Sequence, residues 1–180
     1  MPDNTLQINS IKRAIGSLEV SLGVTQLRQA QSEFTTTIYG IEKVQNALKA
    51  LNISIPVDPL DNQYWFTSWD NWQKIIAVLN PIAQNFQWET DRFDCDNRAN
   101  LMTSMTSLMF RINTCATLYC KVFMADTGAF LFYHYCNLIT DDAGNVYLWD
   151  VDQNGISQKI TGNPFIMGTH KYELISIRVY

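Results

Sequence analysis

The sequence predicts an α+β protein in which helices come first and a β-sheet follows. Apolar residues recur at helical spacing in the first part of the chain, and from residue 115 the pattern changes to strands separated by turn signals. The chain has 180 residues, and its 47% hydrophobic content is enough to bury a core. Helices followed by strands are typical of the α+β class.

The first element is an amphipathic helix over the amino-terminal residues. Its apolar positions are three and four residues apart, as in a coiled-coil seam, and they are Ile8, Ile11, Ile15, Leu18 and Leu22. A second helical pattern runs from Phe34 to Leu51. Residues 1–54 are therefore predicted to form a helical hairpin or coiled-coil arm. The arm either packs on the rest of the chain or mediates self-association.

A proline-containing stretch over residues 55–62 is predicted to be an extended linker, followed by an α+β domain over residues 63–180. The domain opens with a tryptophan-rich segment that includes a helix capped by Ser68. Core packing and a sugar-stacking platform are both open for its tryptophans, which are Trp65, Trp69, Trp72 and Trp88. A carbohydrate-binding module is one function this cluster allows.

Composition excludes several classes of partner. The net charge is −4 and no lysine or arginine cluster is present, which argues against nucleic acid. No apolar run reaches the length of a membrane span, and the amino terminus does not resemble a secretory signal. We expect a cytoplasmic protein whose cysteines, Cys95, Cys115, Cys120 and Cys136, are free thiols.

One cysteine stands in a charged stretch, ETDRFDCDNRA, just before an apolar helical run. This places Cys95 at a helix start, where the positive end of the helix favours the thiolate. His134 lies on a strand, and Asp150 ends the next strand across a turn, so the two side chains should meet. A thiol, an imidazole and a carboxylate in this order are the parts of an activated nucleophile.

The segments FDCDNRA and HYCNLITDDAGNVYLWDVDQNG resemble the papain-like and transglutaminase-like cysteine protease superfamily, in particular small agglutinin-type or phage-encoded domains. The resemblance covers about residues 88–156. It implies a papain-like fold with an antiparallel sheet packed on the Cys95 helix. It further implies that Cys95 is the nucleophile, His134 the general base and Asp150 the orienting carboxylate of a hydrolase or acyltransferase. Its substrate would be a peptide, amide or ester, in a peptide or protein partner.

The alternative function is a non-enzymatic phage or virion structural protein built on an inactive domain of this kind. Residues 1–54 would then dock it into a homo-oligomer or a larger assembly, and the virion would be a second location. His170 is the reserve candidate for the base.

Two groups of residues are of the types that bind metal ions. Cys115, Cys120, His134 and Cys136 offer zinc ligands, but their spacing matches no common zinc module. Asp150, Asp152 and Asn154 copy the start of a calcium loop, whereas Thr161 stands where such a loop needs glutamate. The sequence therefore predicts no metal and no cofactor.

Overall fold

The computed structural model describes residues 34–86, 94–153 and 155–179. The predicted helix over residues 8–22, and with it the first half of the coiled-coil arm, lies outside these residues. The chain from Thr35 onward forms one compact unit.

Helices and strands alternate in the first part of the described chain, and strands dominate the second part. The helices are α1 (Glu42–Ala50), α2 (Trp69–Asn85) and α3 (Cys95–Phe110). The short strands are β1 (Thr37–Tyr39), β2 (Val57–Pro59), β3 (Tyr64–Phe66), β7 (Ile156–Lys159) and β8 (Phe165–Met167). The remaining strands are β4 (Cys115–Met124), β5 (Phe130–Thr140), β6 (Val146–Asp150) and β9 (His170–Val179).

Most of these strands form a mixed seven-stranded sheet with the order β2-β9-β4-β5-β6-β7, and β8 pairs with β9. Strand β2 pairs parallel with β9, and the other pairs in this sheet are antiparallel. Strands β1 and β3 form a separate two-stranded sheet. The core joins the inner side of the large sheet, including Leu118 and Leu138, to apolar residues of α1 such as Leu48.

Local signals explain where the two longer helices begin and end. The Ser68 side chain accepts a hydrogen bond from the Asn71 N–H and caps α2. Asp94 and Asn97 form a capping box at the start of α3. Arg111, with φ of 57°, takes the left-handed conformation that ends α3.

The predicted fold class requires correction, because the described chain is mostly β-sheet and the sheet is mixed rather than antiparallel. Val57–Pro59, within the predicted linker, is a strand that pairs with β9. The second predicted helix begins at Glu42 rather than Phe34, since Thr37–Tyr39 forms β1. Threonines and Ile38 in this stretch fit an extended strand better than a helix. The division into arm, linker and domain stays a prediction.

No helix in the described part of the chain is both long enough and apolar enough to cross a membrane.

Candidate functional site

The candidate site begins at the first residue of α3. The capping box at Asp94 fixes the first turn, and Cys95 follows it as the first helical residue. Cys95 is partly exposed, whereas Cys115, Cys120 and Cys136 are buried. Among the described thiols, Cys95 is therefore the one that a ligand in solution can reach.

His134 and Asp150 come together at the end of the β5–β6 pairing. The paired residues of these strands begin with Asn137 and Trp149, and His134 reaches past them to the last residue of β6. His134 Nε2 lies 3.0 Å from Asp150 Oδ2. Their side chains are only 7% and 1% exposed, so this is a buried ion pair when the imidazole is protonated.

Asp150 is held by further hydrogen bonds. The Tyr172 hydroxyl donates to Oδ2 at 3.0 Å, and the backbone N–H groups of Asp152 and Gln153 donate to Oδ1 at 3.0 and 3.3 Å. Burial and the nearby Asp150 charge raise the pKa of Tyr172 above its usual range, so its hydroxyl remains a donor. These bonds orient the carboxylate toward His134.

Cys95 is the other partner of His134. Burial alone would lower the pKa of the imidazole, but hydrogen bonding to Asp150 and to Cys95 outweighs it and raises the pKa of His134 to about 10. Because Nε2 is engaged by Asp150, Nδ1 is the ring nitrogen that remains for the thiol. The arrangement favours the protonated, imidazolium form of His134.

A second contact joins α3 to the turn after Asp150, and it was missed at the sequence level. Arg98 Nη1 lies 2.7 Å from Asp152 Oδ1, and Nη2 donates to the Phe86 carbonyl at 2.6 Å. The Arg98 and Asp152 side chains are 12% and 15% exposed. Burial raises the pKa of Asp152, and Arg98 opposes that shift. The usable signal in the sequence was an arginine one helical turn after Cys95.

One group of potential metal ligands lies here. Donor atoms of His134, Asp150 and Asp152 are within 4.8 Å of one another in the described part of the chain. Each is already hydrogen-bonded within the network, and the Arg98 cation lies against Asp152. This is the geometry of a hydrogen-bonded network rather than of a metal site. Asn154, of the predicted calcium loop, lies outside the described residues.

The other candidate residues are placed elsewhere. His170 pairs in register with Met124 and Met167, away from His134. The Asn137 amide donates to the Ala99 carbonyl at 2.9 Å and so joins β5 to α3, in line with a structural role.

The tryptophans of this segment that the structure describes do not form an open platform. Trp72 is fully buried. Trp69 stacks on Tyr147 with ring centroids 3.6 Å apart. Trp88 lies outside the described residues.

A second surface feature is a tyrosine stack on β4 and β5. Tyr119 stacks on Tyr133 and on Tyr135, with ring centroids 5.6 and 4.7 Å apart. Tyr119 and Tyr133 line a cleft of about 720 Å³ that also includes Lys121 and Glu173. Alternation along β5 places these tyrosines on the face opposite His134. We call this feature the tyrosine cleft.

The fold is similar to that of solved lectin structures. A structure titled "PSL1a-E64 complex" matches with a TM-score of 0.51 and 16% identity, over 78% of this chain and 51% of that chain. A structure of Polyporus squamosus lectin bound to a human-type influenza-binding epitope, Neu5Aca2-6Galb1-4GlcNAc, matches with a TM-score of 0.50 and 16% identity. That match covers 78% of this chain and 49% of the lectin. This chain thus spans about half the length of each, and at this identity the likeness concerns the fold.

No family model and no curated protein matches the chain. The lectin likeness corrects the resemblance to papain-like and transglutaminase-like proteases, together with the papain-like fold expected from it. It also contradicts the predicted cysteine-dependent hydrolase or acyltransferase and the alternative phage structural protein. Both titles name a molecule bound by the neighbour, E64 in the first structure and the glycan in the second. The roles predicted for Cys95, His134 and Asp150 stay predictions, as does the oligomeric state.

Proposed function

We propose that this chain is a ligand-binding module of lectin-like fold that binds electrophilic ligands covalently through Cys95. The observation that carries the proposal is the connected series of side chains from Cys95 through His134 to Asp150. Cleavage of peptides, amides or esters is not part of the proposal.

The chemistry follows from the three side chains. The thiolate is the nucleophilic form of cysteine, and the imidazolium of His134 is the hydrogen-bonding cation beside Cys95. With an epoxide, the sulfur bonds to a carbon of the three-membered ring and the bond between that carbon and the oxygen breaks. The oxygen then takes a proton from His134, which is the nearest acid. Asp150 keeps the imidazole ring of His134 oriented throughout the reaction.

The test is selective alkylation at mildly acidic pH. Wild type is treated with E64 or iodoacetamide at about pH 6, where an ordinary thiol is almost fully protonated. Peptide mass spectrometry then gives the rate at each cysteine. We expect Cys95 to react at least about tenfold faster than Cys115, Cys120 and Cys136, since it is partly exposed and lies beside the His134 imidazolium.

His134→Ala should lower the rate of Cys95 alkylation at this pH, because a thiolate on Cys95 would lose its counter-ion. The matched control is His170→Ala, which removes a histidine away from the site and should leave the rate unchanged. Equal labelling of Cys95 in wild type and His134→Ala would contradict the proposal.

Carbohydrate binding is a second candidate, favoured by the tyrosine cleft. A pyranose ring packs its C–H face on an aromatic ring, and its hydroxyls need polar partners beside it. Tyr133, which is 54% exposed, offers a ring face, and the Lys121–Glu173 pair, 3.4 Å apart, lies in the same cleft. The second lectin title names a sialylated glycan, which supplies the first compound to test.

Calorimetric titration of the chain with Neu5Aca2-6Galb1-4GlcNAc tests this candidate. Tyr133→Ala should abolish binding, whereas Tyr39→Ala, at an exposed tyrosine on the other sheet, should not. Failure of wild type to bind, or equal binding by Tyr133→Ala, would exclude a glycan site in the tyrosine cleft.

A further inference from the structure

The start of α3 and the turn after β6 are joined twice, and the two connections form a closed ring. One connection runs from Cys95 to His134 and on to Asp150. The other runs from Arg98, one helical turn after Cys95, to Asp152 at 2.7 Å. Asp152 closes the ring through its backbone N–H, which donates to Asp150 Oδ1 at 3.0 Å.

The second connection joins two charged side chains that have little contact with water. Arg98 and Asp152 are mostly buried, so their charges are better satisfied by each other than by water. The second Nη group of Arg98 donates to the Phe86 carbonyl, next to the last residue of α2. Arg98 also keeps its place in the helix, because its N–H bonds to the Asp94 carbonyl at 3.0 Å.

From this ring we infer that Arg98 and Asp152 are positioning residues that hold the α3 start, and with it Cys95, against His134. The inference rests on the proposed thiol function. Neither residue needs to touch the ligand. They act through the separation between the thiol and the imidazole, on which the stability of the thiolate depends.

The geometry makes the pair specific for arginine. Its two Nη groups bond to two different acceptors, Asp152 and Phe86, from one planar group. The single ammonium of lysine does not reproduce that fork. Arg98→Lys is therefore the conservative variant that keeps the charge and loses the geometry, whereas Asp152→Asn keeps the shape and loses the charge.

The readout is the pH profile of Cys95 alkylation by iodoacetamide, measured from about pH 5 to 9. Other charged and titratable groups lie around Cys95 and His134, and they also affect the rate of Cys95 alkylation at each pH. They are Asp94 and Asp96 from α3, Cys120 from β4, Tyr135 and Cys136 from β5, Asp150 from β6 and Tyr172 from β9. All remain in each variant. Arg98→Gln and Asp152→Asn remove charges of opposite sign, so a change in the same direction in both variants reports the removed contact rather than the removed charge.

Arg98→Gln and Asp152→Asn should each lower the rate of Cys95 alkylation at about pH 6 roughly tenfold and move the midpoint of the profile to higher pH than in wild type. Arg98→Lys should give an intermediate profile. The variant that combines Arg98→Gln with Asp152→Asn should react no more slowly than either single variant, since each substitution removes the same contact. The matched control is Arg178→Gln, which breaks an ion pair at the surface and should leave the profile unchanged.

Thermal unfolding of each variant separates positioning from folding, because a purely structural role would change the melting temperature without moving the midpoint. Unchanged midpoints in Arg98→Gln and Asp152→Asn, with a shifted midpoint in His134→Ala, would overturn the positioning role and leave the proposed function standing. An unchanged midpoint in His134→Ala would overturn both. If Arg98→Gln does not fold, Asp152→Asn and Arg98→Lys decide the question.

Discussion

Replacing Asp150 by asparagine tests whether the buried carboxylate stabilises both the fold and the charge on His134. The substitution keeps the size of the side chain and removes its charge. One oxygen can still accept from the backbone N–H groups of Asp152 and Gln153. The NH2 group of the asparagine then faces His134 and the Tyr172 hydroxyl, both of which bond to Oδ2 of Asp150 in wild type.

The expected loss of stability follows from these contacts. Removing one partner of a buried ion pair costs about 3–5 kcal/mol, because the other charge is left without compensation. The pKa of His134 gives a similar magnitude. It rises from 6.5 to about 10, and one pKa unit corresponds to about 1.4 kcal/mol. We therefore expect Asp150→Asn to lower the free energy of unfolding by several kcal/mol near neutral pH.

The pH dependence has a definite sign. A folded-state pKa above the unfolded value means that the native state binds the proton more tightly. The stabilisation from His134 is complete below about pH 6.5 and is lost as the pH rises through about 10. The difference in unfolding free energy between wild type and Asp150→Asn should therefore be largest near pH 6 and decrease toward pH 10.

Urea unfolding under reducing conditions, followed by fluorescence of the buried Trp72 and Trp149, measures both quantities. Asp58→Asn is the matched control. Its ion pair with Arg178 has side chains 58% exposed, and its loss should cost less than about 1 kcal/mol at any pH. A difference between wild type and Asp150→Asn that stays constant from pH 6 to 10 would refute the reasoning, whatever its size.

Two further predictions concern the support of the site and the core. Tyr172→Phe removes the hydroxyl that donates to Asp150 at 3.0 Å and should cost about 1–2 kcal/mol in urea unfolding; no loss would mean that this bond contributes nothing net. Leu118→Ala, at a fully buried position of β4, should cost about 2–5 kcal/mol, whereas Leu108→Ala, at a side chain 67% exposed, should cost far less. Equal effects of the two alanine substitutions would contradict the assignment of the core.

Sequence patterns were sufficient where the signals are local. The charged stretch before an apolar helix placed Cys95 at the start of α3, and alternation with turn residues located β5 and β6. The structure accordingly brings together Cys95, His134 and Asp150. These features depend on neighbours a few residues apart, which one sequence displays directly.

Contacts between distant segments could not be predicted in this way. Arg98 and Asp152 are 54 positions apart, and nothing in either neighbourhood indicates the other. The stretch around Val57 has two prolines and appeared to be a linker, yet it pairs with β9 because that strand has a free edge there. Motifs shared between unrelated folds explain why the protease resemblance failed, since a short block around one cysteine does not define a topology.

The parallel pairing of β2 with β9 also has a consequence for how the chain reaches its native state. Asp58 bonds to Arg178 across a separation of 120 residues, and β9 lies between β2 and β4 in the sheet. On a ribosome, β2 and β4 therefore emerge long before the strand that joins them, and both present open backbone edges until β9 arrives. A sheet whose central strand is added late folds slowly, and the nascent chain is exposed to aggregation until then. The strand that completes the sheet also carries Tyr172, so the Asp150 network is assembled only at that final step.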